Sequence, residues 1–405
     1  MNWIESGEYQ LDERGGGVEV LFAGDFFPNG PSIDLCTRGE FSALFGDALP
    51  ALKEKDVSVV NLESPLTRRS DPIIKTGPHH SAPAECGRAL RFAGFDVAAL
   101  ANNHILDHGA AGIADTIEAC TASGLRTVGA GQTLAEAQEP LYLETKSGLI
   151  SIINVAENEF SIAGPRSAGA NWLDPATNYA QVMNARAKAH AVFVVIHGGH
   201  EFYPLPSPRM VETYRYYASL GVTAVIGHHS HVASGFEIFN GVPIFYSLGN
   251  FISDPRWQAR DGWLEGYFVK LNVIEGRVSK IRLYPYQQST ETCGLSLLRG
   301  DVKKRFLEKI AAHCDTIRDP VKLAERWEAF SRENGYFYLK TALRFGKIRR
   351  ALYKFGLRKL AMGSEHALVE LLGLIRCEAH REAVLKVLDD MILKQKGNDA
   401  RRDTH

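Results

Sequence analysis

A chain of 405 residues, 45% hydrophobic and 23% charged, is long and apolar enough for one large domain plus an extension, or for two domains. Its formal net charge of −1 excludes a whole-protein nucleic-acid binder. The six cysteines lie far apart and form no C-x-x-C pair, which argues against a disulfide framework and a thiolate metal site.

The first 17 residues read as a polar leader ending in Gly15, Gly16 and Gly17, with acidic residues and no apolar h-region. They do not read as a secretory signal, and no apolar run is long enough to be expected as a transmembrane helix. The expected location is therefore the cytoplasm. From Val18 to about residue 295, short runs rich in Val, Ile and Phe alternate with amphipathic stretches. The runs are VEVLFAG, VSVVN, FDVAALA, LISIINVA, AVFVVIH, VTAVIGH and VPIFYSLG. Such alternation predicts an α/β layered fold with largely buried strands. The segment 266–286 reads as a hairpin around Glu275-Gly276. Beyond residue 296 the β signals stop, and residues 296–405 are expected to be a helical extension.

The chemistry is concentrated where the runs end. Asp25 follows the first; Asn61 and Glu63 follow the second; Asn102, Asn103 and His104 follow the third, with Asp107 one turn on. His197, His200 and Glu201 follow AVFVVI, and His228, His229 and His231 follow VTAVIG. Taken singly, each has a bland reading: Asp25 as a helix N-cap, Asn61 and Glu63 as turn formers, Asn102–Asn103 as an Asx-turn, His197 as a satisfied core histidine. Together, five strand ends carrying metal-capable or proton-transferring groups point to one patch, because open α/β sheets bind ligands beyond the carboxyl ends of their strands. His229 and His231, at i and i+2, project to one side if the segment is extended. Carboxylate, carboxamide and imidazole donors without thiolate suit one or two divalent transition metal ions, Mn, Fe, Zn or Co. Glu63 can bridge two ions, and His104, next to the candidate ligand Asn103, can protonate a departing oxygen.

The motifs GDFF, NLESPLT, ANNHILDHG, IHGGHE, GHHSHV and IFYSLGNFISD, in this order, resemble the CapA family of capsule or poly-γ-glutamate biosynthesis proteins. That family lies within the calcineurin-like metallophosphoesterase superfamily. The resemblance implies a double-sheet sandwich flanked by helices (α/β/β/α). It also implies metal ligation by Asp25, Glu63, Asn103, His197, His229 and His231, with His104 catalytic. The remaining strand-end groups, Asn61, Asn102, Asp107, His200, Glu201 and His228, are read from their positions as contacts to substrate or supports of the ligands. Two departures stand out. The superfamily's D-x-H is here Asp25-Phe26-Phe27, which removes one histidine ligand and implies a weak or absent second metal. The family's usual HWG is His197-Gly198-Gly199, which removes an aromatic wall and implies a widened or reshaped pocket.

The function implied is a metal-dependent hydrolase in capsule, poly-γ-glutamate or other surface-polymer biosynthesis, acting on a phosphoester or an anionic polymer. The alternatives are an amide hydrolase or transferase on γ-linked polyglutamate, and a non-catalytic capsule-assembly component. Capsule synthase subunits are the implied partners. Between Asn334 and Ser364 eight Lys or Arg occur with no acid, so the basic helix at 339–360 is either a solvated face packed on the main domain or a peripheral contact with anionic lipid or polymer.

Overall fold

The computed structural model describes residues 3–253, 261–342 and 365–388. Two sheets stack face to face. The first, nine-stranded, runs from edge to edge through Glu8–Gln10, Arg277–Gln288, Glu265–Ile274, Val18–Phe26, Val57–Leu62, Val97–Ala99 and Arg126–Val128. Asn250–Ile252 pairs with Val18–Phe26 off this path, and Leu295–Leu297 pairs with Arg277–Gln288. The second sheet, six-stranded, runs Phe236–Phe239, Val242–Phe245, Ala224–His228, Ala191–His197, Gly148–Ala156 and Leu141–Thr145.

The strand sequences dictate this layering. Val18, Val20 and Phe22 alternate with Leu21 and Ala23, and both sets are buried. The first set joins Ile150, Ile152, Phe193 and Val195 of the second sheet in a core between the sheets, where the Phe22 and Phe193 rings meet at 5.2 Å. The second set packs outward on the helices Pro31–Arg38, Glu85–Ala93 and Gly109–Ala122. The other sheet has the same two-faced character: Ile153, Val155, Val194 and Ile196 turn away from the central core towards Pro175–Lys188 and Pro208–Ser219. Strands apolar on both faces can only be interior, and four layers, α/β/β/α, satisfy both faces at once.

Parallel pairing aligns the ends that matter. Asp25 lies opposite Asn61 across the first sheet, and His197 opposite His228 across the second. The five strand ends thus belong to two sheets rather than one open sheet. The hairpin at 266–286 is present, with Glu275 and Gly276 both at positive φ in its turn.

Two boundaries differ from the sequence reading, and the extension is packed on the core. Residues 3–10 are integral to the fold: Trp3–Ser6 is a helix, Glu8–Gln10 pairs with Arg277–Gln288, and the Trp3 and Tyr9 rings pack on Phe236. A run polar by composition hid three apolar anchors, Trp3, Ile4 and Tyr9. The division at residue 295 falls inside a strand, Leu295–Leu297. The helices beyond it are also docked, since Phe306, Leu307, Ile310 and Cys314 of Gly300–Arg318 enter the central core. The helix Pro320–Ala342 follows, but most of the basic stretch at 339–360 lies outside the described residues. Among the described residues, no helix is long and apolar enough to cross a membrane.

Candidate metal centre

Asp25 and Glu63 are fully buried at the ends of adjacent parallel strands. Asp25 Oδ1 accepts a hydrogen bond from Asn61 Nδ2 at 2.8 Å and lies 3.0 Å from His228 Nδ1. Its Oδ2 lies 3.3 Å from His231 Nδ1 and 3.3 Å from the His229 amide. Glu63 Oε1 stands 3.7 Å from His197 Nε2 and 3.6 Å from His231 Nε2. His197 Nε2 is also 3.0 Å from Asn103 Oδ1 and 3.1 Å from His229 Nδ1.

These side chains form two groups whose donor atoms all lie within 4.8 Å of one another: Glu63, His197 and His229, and Asp25, Glu63 and His231. Glu63 belongs to both. All six sequence-derived ligand candidates are therefore brought together, with Asn103 reaching the first group through His197.

The residues fit a cation. Both Glu63 carboxylate oxygens are buried without a hydrogen-bond partner, and such orphaned charge is costly unless a cation answers it. Burial drives the Glu63 carboxyl well above the usual carboxylate range, and the charges of Asp25, Glu201 and Glu159 add to the shift while His231 opposes it. Burial also opposes charge on Asp25, but His228 and His231 outweigh it and hold that carboxyl well below its usual value. Burial pushes His197 and His104 well below the usual imidazole range, so both rings are neutral and keep a lone pair free to ligate or accept a hydrogen bond.

The backbone is strained at this point. His229 and His231 have φ of 95° and 60°, in the left-handed region that side chains other than glycine rarely adopt. Two such residues cost on the order of 1–3 kcal/mol each, and strain of this kind gathers at functional sites. The pair does not lie on an extended segment. Reversed backbone turns, not strand alternation, aim both rings at Glu63 and Asp25.

The proposed proton carrier sits beside this cage. His104 Nδ1 is 2.8 Å from Asp107 Oδ2, and Asn102 Oδ1 accepts from the His104 amide at 3.1 Å. Asn102 itself donates to the Leu62 carbonyl, tying this loop to the strand that delivers Glu63. Glu201 is exposed, and its charge acts on both Glu63 and His231. His200 is placed elsewhere. Its buried ring packs on Trp327 and Phe330 at 4.8 and 5.5 Å, and neither nitrogen has a hydrogen-bond partner. The expectation of a polar role beside the centre is corrected for His200, because two C-terminal aromatic rings compete for it.

The two motif departures are filled by neighbours. Phe27 is buried, its ring 4.3 Å from His80, 5.9 Å from His104 and 6.0 Å from His231. A Cβ on Gly198 would stand 2.5 Å from Glu157 Cγ, so the Glu157 side chain occupies the space and the pocket is not widened there.

Sequence reasoning missed four residues. Asn250 Oδ1 lies 3.0 Å from His231 Nδ1, and Glu159 Oε1 lies 3.7 Å from His229 Nε2. Lys75 is buried against His104 Nδ1 at 3.1 Å and paired with Asp107, and His80 stands 4.4 Å ring to ring from His104. A signal was available for the last two. They sit in the long connection between Leu62 and Glu85, rich in Pro, and connections of that length usually carry function.

A four-layer α/β sandwich with a buried cage of imidazole, carboxylate and carboxamide donors at its strand ends defines a protein able to hold metal. The family described as bacterial capsule synthesis protein PGA_cap matches residues 19–255, and the chain belongs to that family. The capsule biosynthesis protein CapA of Bacillus anthracis is 31% identical over 265 residues, covering 63% of this chain and 64% of that protein. The PGA biosynthesis protein CapA of Bacillus subtilis is 30% identical over 265 residues, covering 63% of this chain and 68% of the relative. The match thus spans a little under two thirds of the Bacillus anthracis protein. Among solved structures, the sulfate thiohydrolase SoxB of Thermus thermophilus aligns with a TM-score of 0.41 at 15% identity, covering 76% of this chain and 62% of that one.

Proposed function

We propose that the chain is a metal-dependent hydrolase of surface-polymer biosynthesis, with a phosphoester as the bond attacked and an anionic polymer or its precursor as substrate. The observation that carries this reading is Glu63, a fully buried carboxylate shared by two donor groups and left without a hydrogen-bond partner on either oxygen. Asp25, Glu63 and His231 would hold one divalent ion, and Glu63, Asn103, His197 and His229 a second. Such ions, when bound, lower the pKa of water and neutralise developing negative charge. Asn61 orients Asp25, and Asn250 steadies His231, so the donors are fixed before any ligand arrives. Where its Nδ1 accepts from Lys75, the neutral His104 ring carries its hydrogen on Nε2 and would hydrogen-bond it to the departing oxygen, with Asp107 holding Lys75 and the ring in place. The test is hydrolysis of an aryl phosphate alongside metal content. Both should vanish in His229→Ala, and full activity in that variant would remove the reading.

A second reading is an amide hydrolase or transferase on γ-linked polyglutamate; the Bacillus subtilis relative is named for PGA biosynthesis. The same centre can polarise a carbonyl. Parallel incubation with polyglutamate and with phosphoesters separates the two. Metal occupancy without turnover of either would favour a non-catalytic part in capsule assembly.

A further inference from the structure

The five residues after the strand Gly148–Ala156 make contacts that alternate between the candidate metal centre and the last two described helices, Glu365–Arg376 and residues 378–388. Glu157 accepts from the Gly199 amide at 2.8 Å, two residues beyond His197. Glu159 Oε1 lies 3.7 Å from His229 Nε2, and Ser161 donates to the carbonyl of Asn103. Between them, the Asn158 amide donates to Glu378 Oε2 at 2.9 Å, and the Phe160 ring lies against Gly373 so closely that a Cβ there would stand 3.2 Å from it. Glu378 also accepts from the Trp172 indole, and one turn on, Glu382 accepts from Ser207 and Arg209. Arg209 closes the circuit on Glu157.

We propose that Glu159 is a positioning residue for His229, and that the C-terminal helices, beyond the matched residues 19–255, set its place through Glu378 and Gly373. This rests on the metal reading above. His229 Nδ1 is 3.1 Å from His197 Nε2, so Nδ1 is the nitrogen on the donor side, and Nε2, facing Glu159, is left to carry the proton. A carboxylate beside the far nitrogen of a ligating histidine fixes its tautomer and orientation and raises its basicity. Glu159 is only 17% exposed, and both of its neighbours are gripped by the same helices, so its place is not set by its own loop alone. The centre is thereby coupled to a part of the chain that contributes none of the donors.

The experiment is titration of the full-length, metal-stripped protein with Zn²⁺ alone, combined with long-range nitrogen–proton spectra of the histidine rings. Wild type and His229→Ala come first, and they identify the His229 signals. If wild type binds no Zn²⁺, the metal reading fails. If it binds and Glu159→Gln binds equally well with an unchanged His229 tautomer, the proposal alone fails. The expected result is a dissociation constant raised roughly 10–100-fold in Glu159→Gln, with His229 no longer held as the Nε2–H tautomer. Glu378→Ala should weaken Zn²⁺ in the same direction by a smaller factor. Gly373→Ala, which presses on the Phe160 ring without removing an ion pair, is the second probe should Glu378→Ala fail to fold. Unchanged affinity in a folded Glu378→Ala or Gly373→Ala protein would overturn the part given to the helices.

Discussion

Lys75 Nζ lies 3.1 Å from His104 Nδ1 while the same ammonium pairs with Asp107, the carboxylate 2.8 Å from that ring nitrogen. A donor-only group and an acceptor-only group thus meet one nitrogen of the ring. Asp107 also accepts from the His80 amide and, through its carbonyl, from Ile73, so the long loop after Glu63 is pinned to the residue that orients His104.

If Lys75 works through His104, Lys75→Met lowers kcat and leaves KM nearly unchanged. A loss of about 10–100-fold is expected, less than the roughly 10²–10⁴-fold of His104→Ala. The double variant should be no worse than His104→Ala, since groups acting as one unit are not additive. A rise in KM alone would make Lys75 a substrate contact instead.

Without a cation, Glu63 is a buried carboxylate with neither oxygen hydrogen-bonded. In protein stripped of metal, Glu63→Gln should therefore be neutral or stabilising, by up to about 1–3 kcal/mol, the usual cost of an unsatisfied buried polar group. Added Mn²⁺ or Zn²⁺ should raise the melting temperature of wild type and leave that of the variant unmoved. Denaturation curves with and without chelator check both signs.

Gly24, beside Asp25, has no room for a side chain. A Cβ there would sit 1.9 Å from the Gly249 carbonyl oxygen, which also accepts from the Asp25 amide. Gly24→Ala should cost at the upper end of the ~1–3 kcal/mol of overpacking and lower metal affinity with it. Gly15→Ala, with nothing within 4 Å of the new atom, is the control and should be silent in urea unfolding.

His313, on the helix Gly300–Arg318, is held down to about 4 by burial and then by Lys309, against 6.5 in a free imidazole. The folded state keeps it neutral where the unfolded state takes a proton. Its contribution is thus intact above 6.5 and is lost as the pH falls from there towards 4. His313→Gln should lose less stability than wild type between pH 7 and 4, measured in chelator so that metal release does not intervene. A parallel decline would contradict the assignment.

How much of this was legible in the sequence follows from what each residue depends on. Asp25, Glu63, Asn103, His197 and the His229–His231 pair were readable because each ends or closely follows an apolar run, and strand ends in parallel sheets share one side of the molecule. The two-faced burial of Val18–Phe26 was readable for the same reason. The reversed backbone at His229 and His231 was not, since nothing in the letters gives a positive φ to histidine. His200 reads like its neighbours but is taken by Trp327 and Phe330, more than a hundred residues away in the chain. Glu159 was invisible because its place depends on helices that no local pattern links to it.

The central claim is that residues from separate loops jointly grip a divalent cation. Elemental analysis of protein purified without added metal, wild type against His229→Ala and Glu63→Gln, measures this directly. At least one transition metal ion per wild-type chain is expected, lost or strongly reduced in both variants. Equal metal content in all three proteins, or none in wild type even after reconstitution with Mn²⁺ or Zn²⁺, would contradict it.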